Sequence, residues 1–297
     1  MTCNGGRHRA FTNGNQTAVS ADLNRYPLNQ MKHFGTRTLL IVTAIVAGIC
    51  GIMIPAIQAA RNAAMEMSCR NQVKQVGLAL LNFESAYKRL PIAIERTDDG
   101  RLWRSWRSYV YPTFMEQRPL IYDASTAWDS TSNIRLIDGT PIPMPTGKAG
   151  GTTVLRSLDR VPWSFSCPSC KDQDGVNYVV VTGDGTAFQK TKPIKLADIT
   201  DGLENTILVV ESVTCTPDWT EPRDLDIETM DFKINSRDNP SISSFHPSGA
   251  NVCFADMGVF LLTPNVTESE LKAMLTISGG ENVDRTDLLN RGVLIKR

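Results

Sequence analysis

The sequence predicts an α+β protein. One long N-terminal helix, whose first half crosses a membrane, packs its second half on an antiparallel β-sheet that carries loop insertions. Three observations carry that expectation. The run Thr38–Ala60 (TLLIVTAIVAGICGIMIPAIQAA) holds no charged residue and is bounded by Arg37 and Arg61. Apolar side chains then recur at Cys69, Val73, Val76, Leu80, Phe83 and Tyr87, four and three apart in turn. That spacing draws one narrow stripe along a helix. Beyond Pro91, Asp-Gly pairs stand beside short runs rich in Val, Ile and Leu, as turns stand between strands.

Residues 1–37 form a leader rich in Asn, Gly and Thr with no apolar period, which reads as disordered. The uncharged run at 38–60 is about 35 Å long as a helix, enough to cross a hydrocarbon core of about 30 Å. A cleaved secretory signal would be shorter, nearer the start and end in small residues. A buried core helix rarely stays uncharged over that length. The leader carries Arg7, Arg9, Arg25, Lys32 and Arg37 against Asp22, so the positive-inside rule places the N-terminus in the cytoplasm and the rest outside. Residues 61–90 continue the helix in water. Ala, Gln, Met, Glu and Leu favour it, Pro55 should bend it, and Pro91 should end it.

Residues 91–297 read as a β-rich domain. Strands are expected at Asn177–Thr182, Thr206–Glu211, Asn251–Phe254 and Val259–Leu262, the last two joined by a turn at Ala255-Asp256-Met257-Gly258. A late helix opens on the capping box Thr267-Glu268-Ser269-Glu270 and is expected to run to Gly279-Gly280. Residues 112–165, dense in Pro, Gly, Thr and Ser, read as long loops or an insertion. Trp103-Arg104-Ser105-Trp106-Arg107 reads as a strand capping the sheet.

A long helix half in the membrane followed by an antiparallel sheet is the plan of type IV pilins and pseudopilins. Several blocks make the likeness closer. Pro55-Ala-Ile-Gln-Ala-Ala-Arg61, Cys69-Arg-Asn-Gln-Val-Lys-Gln-Val-Gly-Leu-Ala-Leu80, Phe165-Ser-Cys-Pro-Ser169, Asp198-Ile-Thr-Asp-Gly-Leu-Glu-Asn-Thr-Ile-Leu-Val-Val-Glu211 and His246-Pro-Ser-Gly-Ala-Asn-Val-Cys-Phe-Ala-Asp256 resemble the blocks of one bacterial family. It is the pilin-like family of unknown function DUF1559, with its C-terminal H-x9-D-G motif, and the likeness covers about residues 34–297. The resemblance marks His246, Asp256, Gly258, Asp201, Gly202, Asn205 and Glu211 as motif residues without assigning them a role. Two departures stand out. The family's pilin methylation signal has Gly at the cut and Glu five residues into the mature chain, where this sequence has His33 and Thr38. Met257 also separates Asp256 from Gly258, which are adjacent in the family.

Seven cysteines are present. Cys69 lies on the apolar stripe and so faces the sheet. In an exported, oxidising compartment a bridge from Cys69 to Cys167 or Cys170 would staple helix to sheet, with pairing of Cys167 and Cys170 as the alternative. Cys167-Pro-Ser-Cys170 lacks the second C-x-x-C of a zinc site and the following helix of a thioredoxin-like pair. No metal or other cofactor is expected. Calcium is the alternative, at Asp172, Asp174 and at Asp198 with Asp201, and turn chemistry explains those residues as well.

The expectation for function is a non-enzymatic, single-pass protein of the inner (cytoplasmic) membrane. Its pilin-like domain would face the periplasm or exterior and serve structure, assembly or a type II secretion-like machine. Its partners would be membrane lipid, like subunits or a pilus or secretion machine. The 31 basic and 31 acidic residues balance, and no basic stripe points to nucleic acid. One alternative is a tethered solute- or carbohydrate-binding module using Trp103, Trp106, Trp128 or Trp163. The other is a hydrolase built on His246 and Asp256.

Overall fold

A computed structural model describes residues 35–114, 125–130, 143–145, 152–154, 163–170, 175–190, 192–281 and 283–296. The leader, the His33 position, Asp172, Asp174 and most of 112–165 lie outside the described residues. The chain divides into two compact units, Met1–Ile57 and Gln58–Arg297.

Helix α1 runs 52 residues, Thr36–Tyr87, through Pro55. Its apolar first part is uncovered: Leu39, Leu40, Ile41, Ile45, Ile49, Ile52 and Ile54 are exposed. The helix is long and apolar enough to cross a membrane. In the second unit the expected stripe turns inward, burying Cys69, Val73, Val76, Leu80 and Phe83, and Gln72, Gly77 and Ala79 widen it. Tyr87 ends the stripe exposed, stacked on Phe83 at 4.4 Å between ring centroids. The helix stops before Pro91 for a backbone reason. Lys88 is left-handed (φ 58°) and its N–H donates to Glu84 O at 2.6 Å, which closes the helix as an αL cap.

After α1 the chain forms a small hairpin, β1 (Ile94–Arg96) and β2 (Leu102–Ser105), turned by Asp99-Gly100. Trp106–Phe114 then coils into α2. The segment read as one strand over 103–107 is therefore strand to Ser105 and helix from Trp106, and its hairpin is separate from the main sheet. A second small hairpin joins β3 (Pro143–Pro145) to β4 (Thr152–Val154).

The main sheet has five strands in the order β11-β10-β9-β7-β5, all neighbours antiparallel. They are β5 (Tyr178–Val179), β7 (Ile207–Glu211), β9 (Ala250–Phe254), β10 (Val259–Leu262) and β11 (Leu294–Ile295). Every residue of β7, β9 and β10 is buried, as expected of strands covered on both faces. Cross-strand partners share a face. Tyr178 pairs with Glu211 and Val209 with Cys253 on the α1 side. Helix and sheet approach closely there: a Cβ on Gly77 would sit 2.7 Å from Cys253 Sγ.

Three elements depart from the sequence reading. The run Asn177–Thr182 splits at Val180, whose N–H goes to Asp224 Oδ1 at 3.1 Å. Val181–Thr182 (β6) then pairs in parallel with Leu225–Asp226 (β8), outside the main sheet. The helix capped by Thr267, α3 (Glu268–Leu275), ends well before Gly279 because Thr276 turns extended and bridges to Thr186. A further short helix, α4 (Arg285–Asn290), and β11 close the domain. They were missed because neither segment is long enough to show a period.

Candidate functional site

The blocks that lie far apart in sequence meet beside the helix. α1 carries Glu66, Cys69 and Gln72, three residues apart and hence on one face. Cys69 is fully buried and bonded to Cys167, a disulfide spanning 98 residues with Cα atoms 5.2 Å apart. Cys167 follows the short 3-10 turn Trp163–Phe165. Its N–H donates to Asn177 Oδ1 at 2.9 Å, and Cys170 N–H donates back to Cys167 O at 2.8 Å. The C-P-S-C block is thus a tight turn that aims one sulfur at the helix. Cys170 remains a buried free thiol. Burial above all pushes it up to about 12.

Glu211 ends β7, an apolar strand with a carboxylate on its last residue. Its side chain is wholly buried and accepts from Ser244 Oγ at 3.0 Å, Asn251 N at 3.1 Å and Asn251 Nδ2 at 2.9 Å. Burial drives its carboxyl above the usual range, against the pull of Asn251, His246 and Ser244. Tyr178, opposite Glu211 in the register, places its hydroxyl 3.1 Å from both Cys69 O and Gln72 Oε1. Burial pushes that phenol well above its ordinary value.

His246 comes from the loop before β9. Asn235 fixes that loop by accepting from Ser244 N at 2.7 Å and donating to His246 O at 3.2 Å. The ring is buried. Its Nε2 lies 3.5 Å from Ser169 Oγ, and its Nδ1 lies 3.6 Å from Glu66 Oε1. Ser169 Oγ is also 3.8 Å from Cys69 Sγ. One ligating atom from each of Cys69, Cys167, Glu211 and His246 falls within 4.8 Å of all the others. The order Ser169, His246, Glu66 resembles a hydroxyl–imidazole–carboxylate relay. Both separations exceed the roughly 2.6–3.2 Å of an activated pair, so the dominant feature is the sulfur, imidazole and carboxylate cluster.

A family model described as a protein of unknown function (DUF1559) matches residues 58–218. The chain belongs to the DUF1559 family. No curated protein and no solved structure matches it. The family match includes Cys69, Cys167 and Glu211 of the cluster and stops before His246.

The remaining motif residues of this DUF1559 protein have other tasks. Asp256 does not meet His246: the two flank β9 at opposite ends, about 14–17 Å of strand apart. Instead Asp256 takes a two-pronged pair from Arg285, at 2.6 and 3.1 Å, and the Gly258 N–H at 2.8 Å. Arg285 also reaches Glu204 O and lies over the Phe254 ring at 4.6 Å. The inserted Met257 takes the left-handed turn position, φ 70°. Asp201 accepts from Gly279 N at 2.8 Å and Gly280 N at 3.1 Å, while Asn205 Nδ2 donates to Asp201 O at 2.9 Å. Gly202 at φ 100° permits that turn. Asp198 accepts from Lys195 N. The carboxylates considered for calcium at 198 and 201 are therefore engaged with backbone N–H groups. Among the tryptophans, Trp106 is sealed in the core against Asp224, whereas Trp103 lines an open groove with Thr97, Asp99 and Leu102.

Sequence reasoning passed over Glu66, Ser169, Ser244 and Asn251. A signal existed for Glu66, three residues before Cys69 on the same helix face, and for Glu211, a carboxylate closing an apolar strand. Ser169 closes the family-like C-P-S block, which gave it no role, and no signal existed for Ser244.

Proposed function

We propose that this DUF1559 protein is a single-pass, pilin-like anchor of the inner membrane. Its N-terminus is cytoplasmic and its β domain is displayed in the periplasm or exterior for assembly with like subunits or an envelope machine. Its role is structural, not catalytic. The observation that carries this reading is α1 itself: a single helix of 52 residues, uncovered and apolar at first and buried along one stripe after Cys69. The Cys69–Cys167 bond supports export, since such bonds persist in oxidising compartments. Gly48 and Gly51 are open on the apolar part, with nothing within 4 Å of an added Cβ. With Ala44 and Ala47 they offer small-residue faces for close helix contact.

The test is fractionation followed by cross-linking. The full chain should resist alkaline extraction from membranes. A cysteine at Ala44 in a Cys50→Ser background should cross-link to a second copy or to an envelope partner. Recovery of the chain in the aqueous fraction, or of uncross-linked monomers alone, would refute the proposal.

A further inference from the structure

We propose that reduction of Cys69–Cys167 turns the same cluster into a site for one zinc-class divalent ion. The ligands are Cys69 Sγ, Cys167 Sγ, His246 Nε2 and a carboxylate oxygen of Glu211. Four features of the structure lead there.

The first is distance. A tetrahedral zinc ion with sulfur at about 2.3 Å and nitrogen or oxygen at about 2.0 Å separates its ligands by about 3.3–3.8 Å. Here all four ligand atoms lie within 4.8 Å of one another. Once the S–S bond opens, closing the set to that size takes side-chain shifts of about 1 Å or slightly more from the 4.8 Å limit. The second is composition. Two thiolates with an imidazole and a carboxylate suit a borderline-soft ion, and oxygen-seeking calcium or magnesium would not select such a set.

The third is the outer shell. Zinc-ligating histidines hand their other nitrogen to a carboxylate or carbonyl, which fixes the ring. Ser169 Oγ lies 3.8 Å from Cys69 Sγ and 3.5 Å from Nε2, while Nδ1 faces Glu66 Oε1 at 3.6 Å, which leaves Nε2 as the nitrogen on the Ser169 side of the ring. Glu211 is likewise oriented by Ser244 and Asn251. The fourth is charge. Glu211 is buried among these neutral donors, and a dication compensates a desolvated carboxylate and two thiolates where neutral donors do not.

The chemistry balances with a thiol reductant. Two equivalents of a thiol carrier are oxidised to its disulfide while the Cys69–Cys167 bond takes up two electrons and two protons. Binding of the ion then releases both protons to water. The site is distinct from a C-x-x-C pair, because Cys170 lies three residues beyond Cys167 yet is outside the four-ligand set.

The test uses the full chain in detergent micelles, reduced with a phosphine under argon and titrated with Co²⁺ as the spectroscopic probe. The reduced protein should bind one Co²⁺ per chain, with thiolate-to-cobalt charge-transfer bands and d–d bands of tetrahedral intensity that Zn²⁺ abolishes. The oxidised protein should show neither. His246→Gln and Glu211→Gln should each weaken binding at least tenfold, and Glu66→Gln by about 10–100-fold through the ring. Cys170→Ser should change nothing. Each variant is first prepared oxidised, so circular dichroism establishes its fold before reduction. A reduced wild-type chain without the tetrahedral spectrum overturns the proposal. So does a spectrum that survives His246→Gln but vanishes in Cys170→Ser, which would mark adventitious binding at the C-P-S-C turn.

Discussion

Replacing both Cys69 and Cys167 with alanine should cost this domain a large share of its stability, because the bond closes so long a loop. For a separation of 98 residues, the loop-closure relation gives about 16 cal/mol/K of unfolded-state entropy, or about 4.7 kcal/mol at 25 °C. The whole stability of a domain is about 5–15 kcal/mol, so the variant should sit near the edge of folding. The loss is entropic in origin and lies in the unfolded chain, which expands when freed. The denaturant slope should therefore rise as the midpoint falls. Guanidinium unfolding in detergent, with a chelator present, measures both. Wild-type protein reduced by phosphine should match the alanine variant within about 1 kcal/mol. A loss below about 1 kcal/mol with an unchanged slope would refute the loop argument. It would show that Tyr178, Gln72 and the apolar stripe hold α1 on the sheet without the bond.

Four further outcomes follow from single contacts. Gly77→Ala should cost about 1–3 kcal/mol, since its Cβ meets Cys253 Sγ at 2.7 Å; Gly77→Ala with Cys253→Ala should recover most of that, and an additive double variant would contradict the close approach. Asp256 is pushed up by burial but pulled lower by Arg285 and the Gly258 N–H, so its carboxyl falls below the ordinary value. Its stabilising contribution is then complete above about pH 4 and lost as pH falls through the folded value. Asp256→Asn should cost about 1 kcal/mol at neutral pH, a cost that shrinks as pH falls below about 4, and a pH-independent cost in urea unfolding would be inconsistent with that sign. Lys88→Gly should stabilise by about 0.5–1 kcal/mol by relieving a left-handed non-glycine cap, read as a rise in melting temperature. Burial pushes the thiols of Cys170 and Cys253 up to about 12 and that of Cys215 up to about 11. At pH 8 their thiolate fraction falls by roughly a hundred- to a thousandfold, so iodoacetamide should label them only on unfolding, and rapid native labelling by mass spectrometry would show the burial to be wrong.

The parts of the fold legible in the sequence were those with a period long enough to read. The uncharged run and the 4-3-4-3 stripe located α1, and the apolar runs located β7, β9 and β10 to within a residue. What escaped depended on contacts distant in sequence. The Asn177–Thr182 run looks like one strand until Asp224 takes the Val180 N–H, and nothing near residue 180 announces that partner. At the site, His246 was paired with Asp256 because they are ten residues apart in one motif. A strand lies between them, which holds its two ends apart. Antiparallel pairing of β7 and β9 instead sets the end of β7 beside the start of β9. Once that register is known, Glu211 is the carboxylate that must approach His246, Ser244 and Asn251.

The cluster also holds more than a staple requires. A disulfide between Cys69 and Cys167 needs no histidine or carboxylate near it. Burying Glu211 without a cationic neighbour among its described hydrogen-bond partners works against stability unless every lone pair is satisfied. A core built only to hold α1 on the sheet would gain more from apolar side chains at 211 and 246, as neighbouring Val209, Val210 and Val252 show. The polar groups are nonetheless oriented with care: Glu211 by Ser244 and Asn251, His246 by Asn235 and Glu66, and Cys167 by Asn177. Such organisation around two sulfurs has a physical use when the sulfurs change state. Closed, they fix the helix through a covalent bond; open, they leave two buried thiols that an ion can bind as thiolates, and the imidazole and carboxylate already stand within 4.8 Å of both sulfurs.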